Sequence, residues 1–113
     1  MIQVDRIKNE HGNNVGFRVI GHAEYADPGA DIICAAVSVL VINTINSIEQ
    51  FTEDKFSCKQ EEESGLTEFI IVSEVSKESA LLMDSLFLGL KGIEQDYGKR
   101  FIKVKAPFER KLK

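Results

Sequence analysis

The chain has 113 residues, 43% of them hydrophobic and 28% charged, which fits one globular domain and excludes a disordered chain. A chain this long buries enough apolar surface to fold without disulfide staples. Fourteen Lys and Arg against eighteen Asp and Glu leave a formal net charge of −4. That argues against a surface given over to nucleic acid.

Ile2 and Val4, with Ile7 beyond them, alternate with polar neighbours, and residues 10–14 (Glu-His-Gly-Asn-Asn) are turn chemistry. The alternation resumes over residues 15–20 with Phe17 and Val19 on one face, so a β-hairpin is expected. Residues 21–30 form a connection rich in Gly, Asp and Pro. Ile33, Val37, Leu40, Thr44, Ile48 and Phe51 then recur at helical spacing, predicting a helix over residues 32–51 capped by Asp31. Its first half is apolar on more than one side (Ala35, Ala36, Val39, Val41, Ile42, Ile45), so either the sheet covers one side and the second helix the other, or a partner subunit does.

Two strands are expected next, over residues 56–60 and 66–73, joined by Glu61, Glu62, Glu63, Ser64 and Gly65. The three adjacent glutamates read as a hairpin tip rather than a metal site, because neighbouring carboxylates point in different directions. A second helix starts after Ser76 and runs to about Tyr97. Met83, Leu86, Phe87, Leu90, Ile93 and Tyr97 form its stripe, and Gly98 suits its end. A last strand over residues 101–105 ends before Pro107. The order ββαββαβ lacks βα alternation, so the expected fold is a single α+β domain over residues 1–113, a mostly antiparallel sheet packed with two helices.

The opening residues, with Asp5 and Arg6, are not an apolar export signal. The longest apolar run, residues 32–42, is broken by Ser38 and shorter than a bilayer span. With two cysteines in the whole chain, a cytoplasmic protein with reduced thiols and no membrane partner is expected.

The chemistry points to residues 21–38. His22 falls at a strand end. If Asp31 caps the helix, Cys34 is the third residue of the first turn, where free amides and the macrodipole favour an anion. A thiolate there is an acyl-transfer nucleophile, and the intervening loop can return His22 to it. On residue pattern alone the alternatives stand: a small buried hydrophobe for Cys34, and a polar edge residue for His22.

The strings Gly21-His22-Ala23-Glu24-Tyr25-Ala26 and Gly29-Ala30-Asp31-Ile32-Ile33-Cys34-Ala35-Ala36-Val37-Ser38 resemble the paired signature of the bacterial ribosomal-processing cysteine protease (Prp) family. Length and element order agree with that family over essentially the whole chain. The resemblance implies a small dimeric cytoplasmic endopeptidase. Its substrate would be the N-terminal region of a large-subunit ribosomal protein, cut after a short hydrophobic, phenylalanine-containing segment. It makes Cys34 the nucleophile and His22 the general base.

Asp31 is then a helix cap or a partner that orients His22, with capping the expected role. The hydroxyl of Ser38, one turn after Cys34, is expected to bond back to a helix carbonyl. Gly21 is the expected hinge of a loop that closes over the peptide with Tyr25, and Pro28 stiffens that loop. The Cys34 amide is the expected first oxyanion donor, in competition with the Asp31 cap.

Cys58 reads as structural and His11 as a solvated turn residue. No zinc spacing or phosphate loop is present, so neither metal nor cofactor is expected. Residues 91–113 hold eight bases and three acids, a net +5, and residues 1–90 hold six bases and fifteen acids, a net −9. The acidic body would steer a basic substrate. The basic end supports an alternative reading, a non-catalytic ribosome-assembly module holding ribosomal RNA or protein through Lys99 to Lys113 with Phe101 and Phe108 interleaved. A thiol redox sensor at Cys34 is a third reading.

Overall fold

In a computed structural model the structure describes residues 1–23, 28–98 and 100–105. Alternation at the start of the chain becomes strand β1 (Ile2–Lys8), which pairs antiparallel with β2 (Asn14–Ile20). Asn9 Oδ1 closes the turn between them, accepting from the His11 and Asn13 amides at 2.9 and 3.0 Å. A second hairpin, β3 (Phe56–Glu61) and β4 (Leu66–Ile71), joins the first through antiparallel β2–β4 pairing. Strand β5 (Ile102–Val104) adds to the other side, parallel to β1. The sheet order is β3-β4-β2-β1-β5, so the expected α+β architecture and ββαββαβ order are what the chain adopts.

Register puts Ile2, Val4, Phe17, Val19, Phe69, Ile71, Ile102 and Val104 into the core. Phe17 stacks on Phe69 with centroids 5.1 Å apart and meets Phe87 edge-on at 6.4 Å. The inward position after Val4 belongs to Arg6, not Ile7. Its guanidinium lies 4.4 Å from the Phe87 centroid and 3.3 Å from Asp84 Oδ1, so the long side chain covers the aromatic cluster while its charge is paired.

Helix α2 (Lys77–Tyr97) follows its local signals. Ser76 Oγ accepts from the Ser79 amide at 3.1 Å, and the Gly98 amide donates to Glu94 O at 3.0 Å. Asp54 Oδ2 braces the cap, accepting from the Ser76 amide and hydroxyl at 2.9 and 2.8 Å. Met83, Leu86, Phe87 and Leu90 are buried as expected, whereas Tyr97, in the last turn, is exposed.

Helix α1 (Ala30–Phe51) ends where expected but begins differently. It starts two residues early, after Gly29 at φ +85°, whose carbonyl accepts from the Ile32 and Ile33 amides at 3.1 Å each. Asp31 is therefore not the cap. It sits in the first turn, its Oδ1 accepting from the Ile32 amide at 3.0 Å. At the far end Phe51 is 74% exposed, outside the core.

By length and composition α1 as a whole is long and apolar enough to cross a membrane, a test that the core helix of a soluble protein also passes. Past Ile42 the residues Asn43, Thr44, Ile45, Asn46 and Ser47 carry the helix on without adding a charge. Ile33, Val37, Val41 and Ile48 are buried, and the helix packs chiefly against α2. Ile32, Val39 and Ile42, on another side, are half or more exposed.

Candidate active site

Strand β2 delivers the chain to Gly21 at φ +100°, where the backbone crosses two neighbours at once. The Gly21 amide donates to Ser64 O at 3.0 Å, and a Cβ there would collide with the Met1 carbonyl oxygen. This crossing requires glycine for steric reasons, independent of any hinge motion.

His22 follows, exposed, its carbonyl accepting from the Met1 nitrogen at 2.6 Å. Its ring Nε2 lies 3.2 Å from Glu63 O in the β3–β4 turn. Gly65, at φ +70°, completes that turn against the ring. A Cβ on Gly65 would fall 2.9 Å from His22 Cε1 and 3.0 Å from Nε2.

Cys34 is half-buried on α1, a free thiol on the face that also carries Val37, Ser38, Val41 and Ile42. This face and the sheet enclose a cleft of about 560 Å³ that both Cys34 and His22 line. Ile2, Val19, Val37 and Val41 give it an apolar interior. Gln60, Glu61, Glu62, Gly65, Leu66 and Thr67 form the wall from the second hairpin.

Gly21, His22, Cys34 and Ser38 thus meet around one cleft. Among the described residues His22 and Cys34 make no hydrogen bond to each other, and the His22 contact is to Glu63. Catalytic hydrogen bonds often tighten only once substrate is bound. Asp31 is exposed at the helix start and does not line the cleft, so its carboxylate meets the positive end of the helix rather than the imidazole.

Ser38 makes no back-bond to a helix carbonyl among the described residues. Thr44 does that, donating to Leu40 O at 2.8 Å, while Ser38 is exposed on the cleft. Because α1 begins at Ala30, Cys34 is its fifth residue, past the four amides that a helix leaves without internal acceptors. The expected role of its amide as first oxyanion donor is therefore not supported, since that amide belongs to the helical ladder. Tyr25, with residues 24–27, lies outside the described residues, as do Lys99 and residues 106–113 of the basic end.

Cys58 is exposed on edge strand β3 rather than packed in the core. Partial desolvation still pushes its thiol up, away from the reactive thiolate. His11 is exposed in its turn, 3.6 Å from Glu10 Oε2.

The reading from sequence missed the turn that touches His22. Residues 61–65 looked like a solvated tip, and only the β2–β4 register carries them to the end of β2. The one local signal was Gly65 itself, a glycine closing an acidic turn.

A family model described as cysteine protease Prp matches residues 1–103. The chain is 26% identical over 99 residues to the ribosomal processing cysteine protease Prp of Staphylococcus aureus, covering 88% of this chain and 93% of that protein. It is 28% identical over 102 residues to the Bacillus subtilis protein of the same name, covering 86% and 90% respectively. A crystal structure of the S. aureus ribosomal processing protease with a covalently linked product peptide superposes with a TM-score of 0.81 at 25% identity, covering 95% of this chain and all of that one.

Proposed function

The chain belongs to the cysteine protease Prp family and is a cysteine protease, and on that premise we propose that it removes the N-terminal extension of a large-subunit ribosomal protein. In this reading it cuts after a short hydrophobic, phenylalanine-containing segment, with Cys34 as nucleophile and His22 as acid and base. The observation that carries the assignment is that His22 and Cys34, from separate elements, line one cleft whose interior is apolar. Ile2, Val19, Val37 and Val41 suit an apolar peptide side chain. The ribosomal substrate is supported by the relatives' shared description as ribosomal processing proteases.

The Cys34 thiol gives its proton to His22, and the sulfur attacks the scissile carbonyl carbon. Collapse of the tetrahedral intermediate breaks the C–N bond, with His22 returning the proton to the leaving amine. Water, deprotonated by His22, then releases the acyl group and restores the thiol. Ser38, one turn along α1 on the same cleft, is a supporting residue that contacts the bound peptide. Gly21 supports His22 by letting the chain cross Ser64 and Met1.

We also place the enzyme in the cytoplasm as one protease domain that pairs into a homodimer. Ile32 and Val39, each 65% exposed on α1, offer the apolar surface for that pairing. The test of the catalytic assignment is cleavage of a quenched fluorescent peptide bearing the hydrophobic, phenylalanine-containing sequence. Cys34→Ala and His22→Ala are each expected to abolish it, and a fully active Cys34→Ala protein would overturn it.

A further inference from the structure

We propose that the β3–β4 turn is the positioning element for the His22 imidazole, with the Glu63 carbonyl fixing its tautomer and Gly65 providing the space that the ring occupies. The proposal rests on His22 being the acid/base, and three contacts carry it. His22 Nε2 is 3.2 Å from Glu63 O. The Gly21 amide donates to Ser64 O at 3.0 Å, locking the residue before His22 to the same turn. A Cβ on Gly65 would collide with the Gly21 carbonyl oxygen and press on His22 Cε1 and Nε2 at 2.9 and 3.0 Å.

A carbonyl oxygen only accepts, so Nε2 must carry the proton in this contact. In the neutral ring the lone pair then resides on Nδ1, which becomes the nitrogen that exchanges a proton with Cys34. A base oriented by a third group is the recurring logic of nucleophilic sites, and here a backbone carbonyl fills the place that a carboxylate or amide side chain takes elsewhere. The Asp31 carboxylate, bonded to the Ile32 amide at the helix start, is not needed for that role.

The turn holds itself in shape. The Gly65 amide donates to Glu62 O at 3.2 Å and the Ser64 hydroxyl to Glu61 Oε1 at 2.6 Å. Its positive φ at Gly65 is a conformation that other residues rarely adopt, so ring packing and turn geometry demand glycine together.

The test combines a spectrum and two variants. His11 is the only other histidine, so a His11→Gln protein labelled with 15N-histidine gives the tautomer of His22 directly by NMR. The expected result is a neutral ring protonated at Nε2. An Nδ1-protonated ring, or an evenly averaged pair, would overturn the proposal. Gly65→Ala should lower kcat on the order of 10²-fold with KM little changed, because small misplacements of a catalytic group cost about that much. It should also move the tautomer signal towards an average.

A Gly65→Ala protein with full kcat and an unaltered spectrum would also overturn the proposal. If Gly65→Ala does not fold, the spectrum of the His11→Gln protein alone decides. His22→Ala separates the two levels. Full activity there refutes the acid/base reading itself, whereas an inactive His22→Ala beside a fully active Gly65→Ala refutes only the positioning role.

Discussion

His22 Nε2 lies 3.2 Å from the backbone oxygen of Glu63, a residue 41 positions further along the chain. The contact exists because β2 and β4 are neighbours in the sheet, which brings the turn of the second hairpin to the end of the first. The imidazole is thereby held on the rim of the cleft that Cys34 also lines. Proton transfer to and from Cys34 and the leaving group is the role assigned to it.

Replacing His22 by Gln keeps a side-chain N–H for the Glu63 carbonyl but removes the proton exchange. Cleavage of the fluorescent peptide should fall about 10²- to 10⁴-fold, the usual worth of a general acid/base, with thermal stability near that of the parent. Activity within a few-fold of the parent would contradict the assignment.

Glu61 and Glu62 stand on the cleft wall, exposed, within a body whose first 90 residues carry a net −9. If this field steers a basic substrate, kcat/KM should fall severalfold between about 10 and 150 mM salt, as the Debye length shrinks from about 30 to about 8 Å. A Glu61→Gln, Glu62→Gln double variant should flatten the response. A salt-independent kcat/KM in the parent protein would remove the steering idea.

Burial acts to raise Asp54, but the nearby Ser79 side chain and the hydrogen bonds from the Ser76 amide and hydroxyl outweigh it and hold the carboxyl below its ordinary value. A carboxylate depressed in the folded state stabilises the fold above its unfolded value, and that stabilisation is lost as pH falls through the folded one. Asp54→Asn, which keeps an accepting oxygen but loses the charge that strengthens its bonds, should therefore lower stability at neutral pH by on the order of 1 kcal/mol, and Tm with it. Its melting temperature should also decline less steeply than the parent's below about pH 4. Parallel curves of Tm against pH would contradict this.

Val39 is 65% exposed on α1 and does not line the cleft. If a second copy covers it, Val39→Glu forfeits about 1.5–3 kcal/mol of burial per protomer and buries a charge besides. Sedimentation should show the parent at dimer mass and the variant shifted towards monomer. An unchanged dimer in the variant would move the interface elsewhere.

Local signals carried most of the fold, and non-local contacts explain what escaped. Ser76 and Gly98 bound α2 because caps are written in neighbouring residues. The start of α1 misled because Asp31 is a better cap by type than Gly29, yet the glycine took the left-handed conformation and the helix began around it. Phe51 and Tyr97 continue the spacing of their helices beyond the covered turns, so periodicity alone counted them as core. In the candidate site, motif and placement singled out Cys34 and His22, which line one cleft. Gly65 and the Glu63 carbonyl were not, since a backbone acceptor has no residue type to read, and the pairing that delivers it joins strands distant in sequence.

The central claim is that Cys34 opens a peptide bond near the N-terminus of a large-subunit ribosomal protein. The direct test incubates the protein with that full-length ribosomal protein and maps new N-termini by mass spectrometry, with Cys34→Ala alongside. One new N-terminus just after a hydrophobic, phenylalanine-containing segment, absent with Cys34→Ala, is the expected result. An intact substrate, or the same new N-terminus formed by Cys34→Ala, would contradict it.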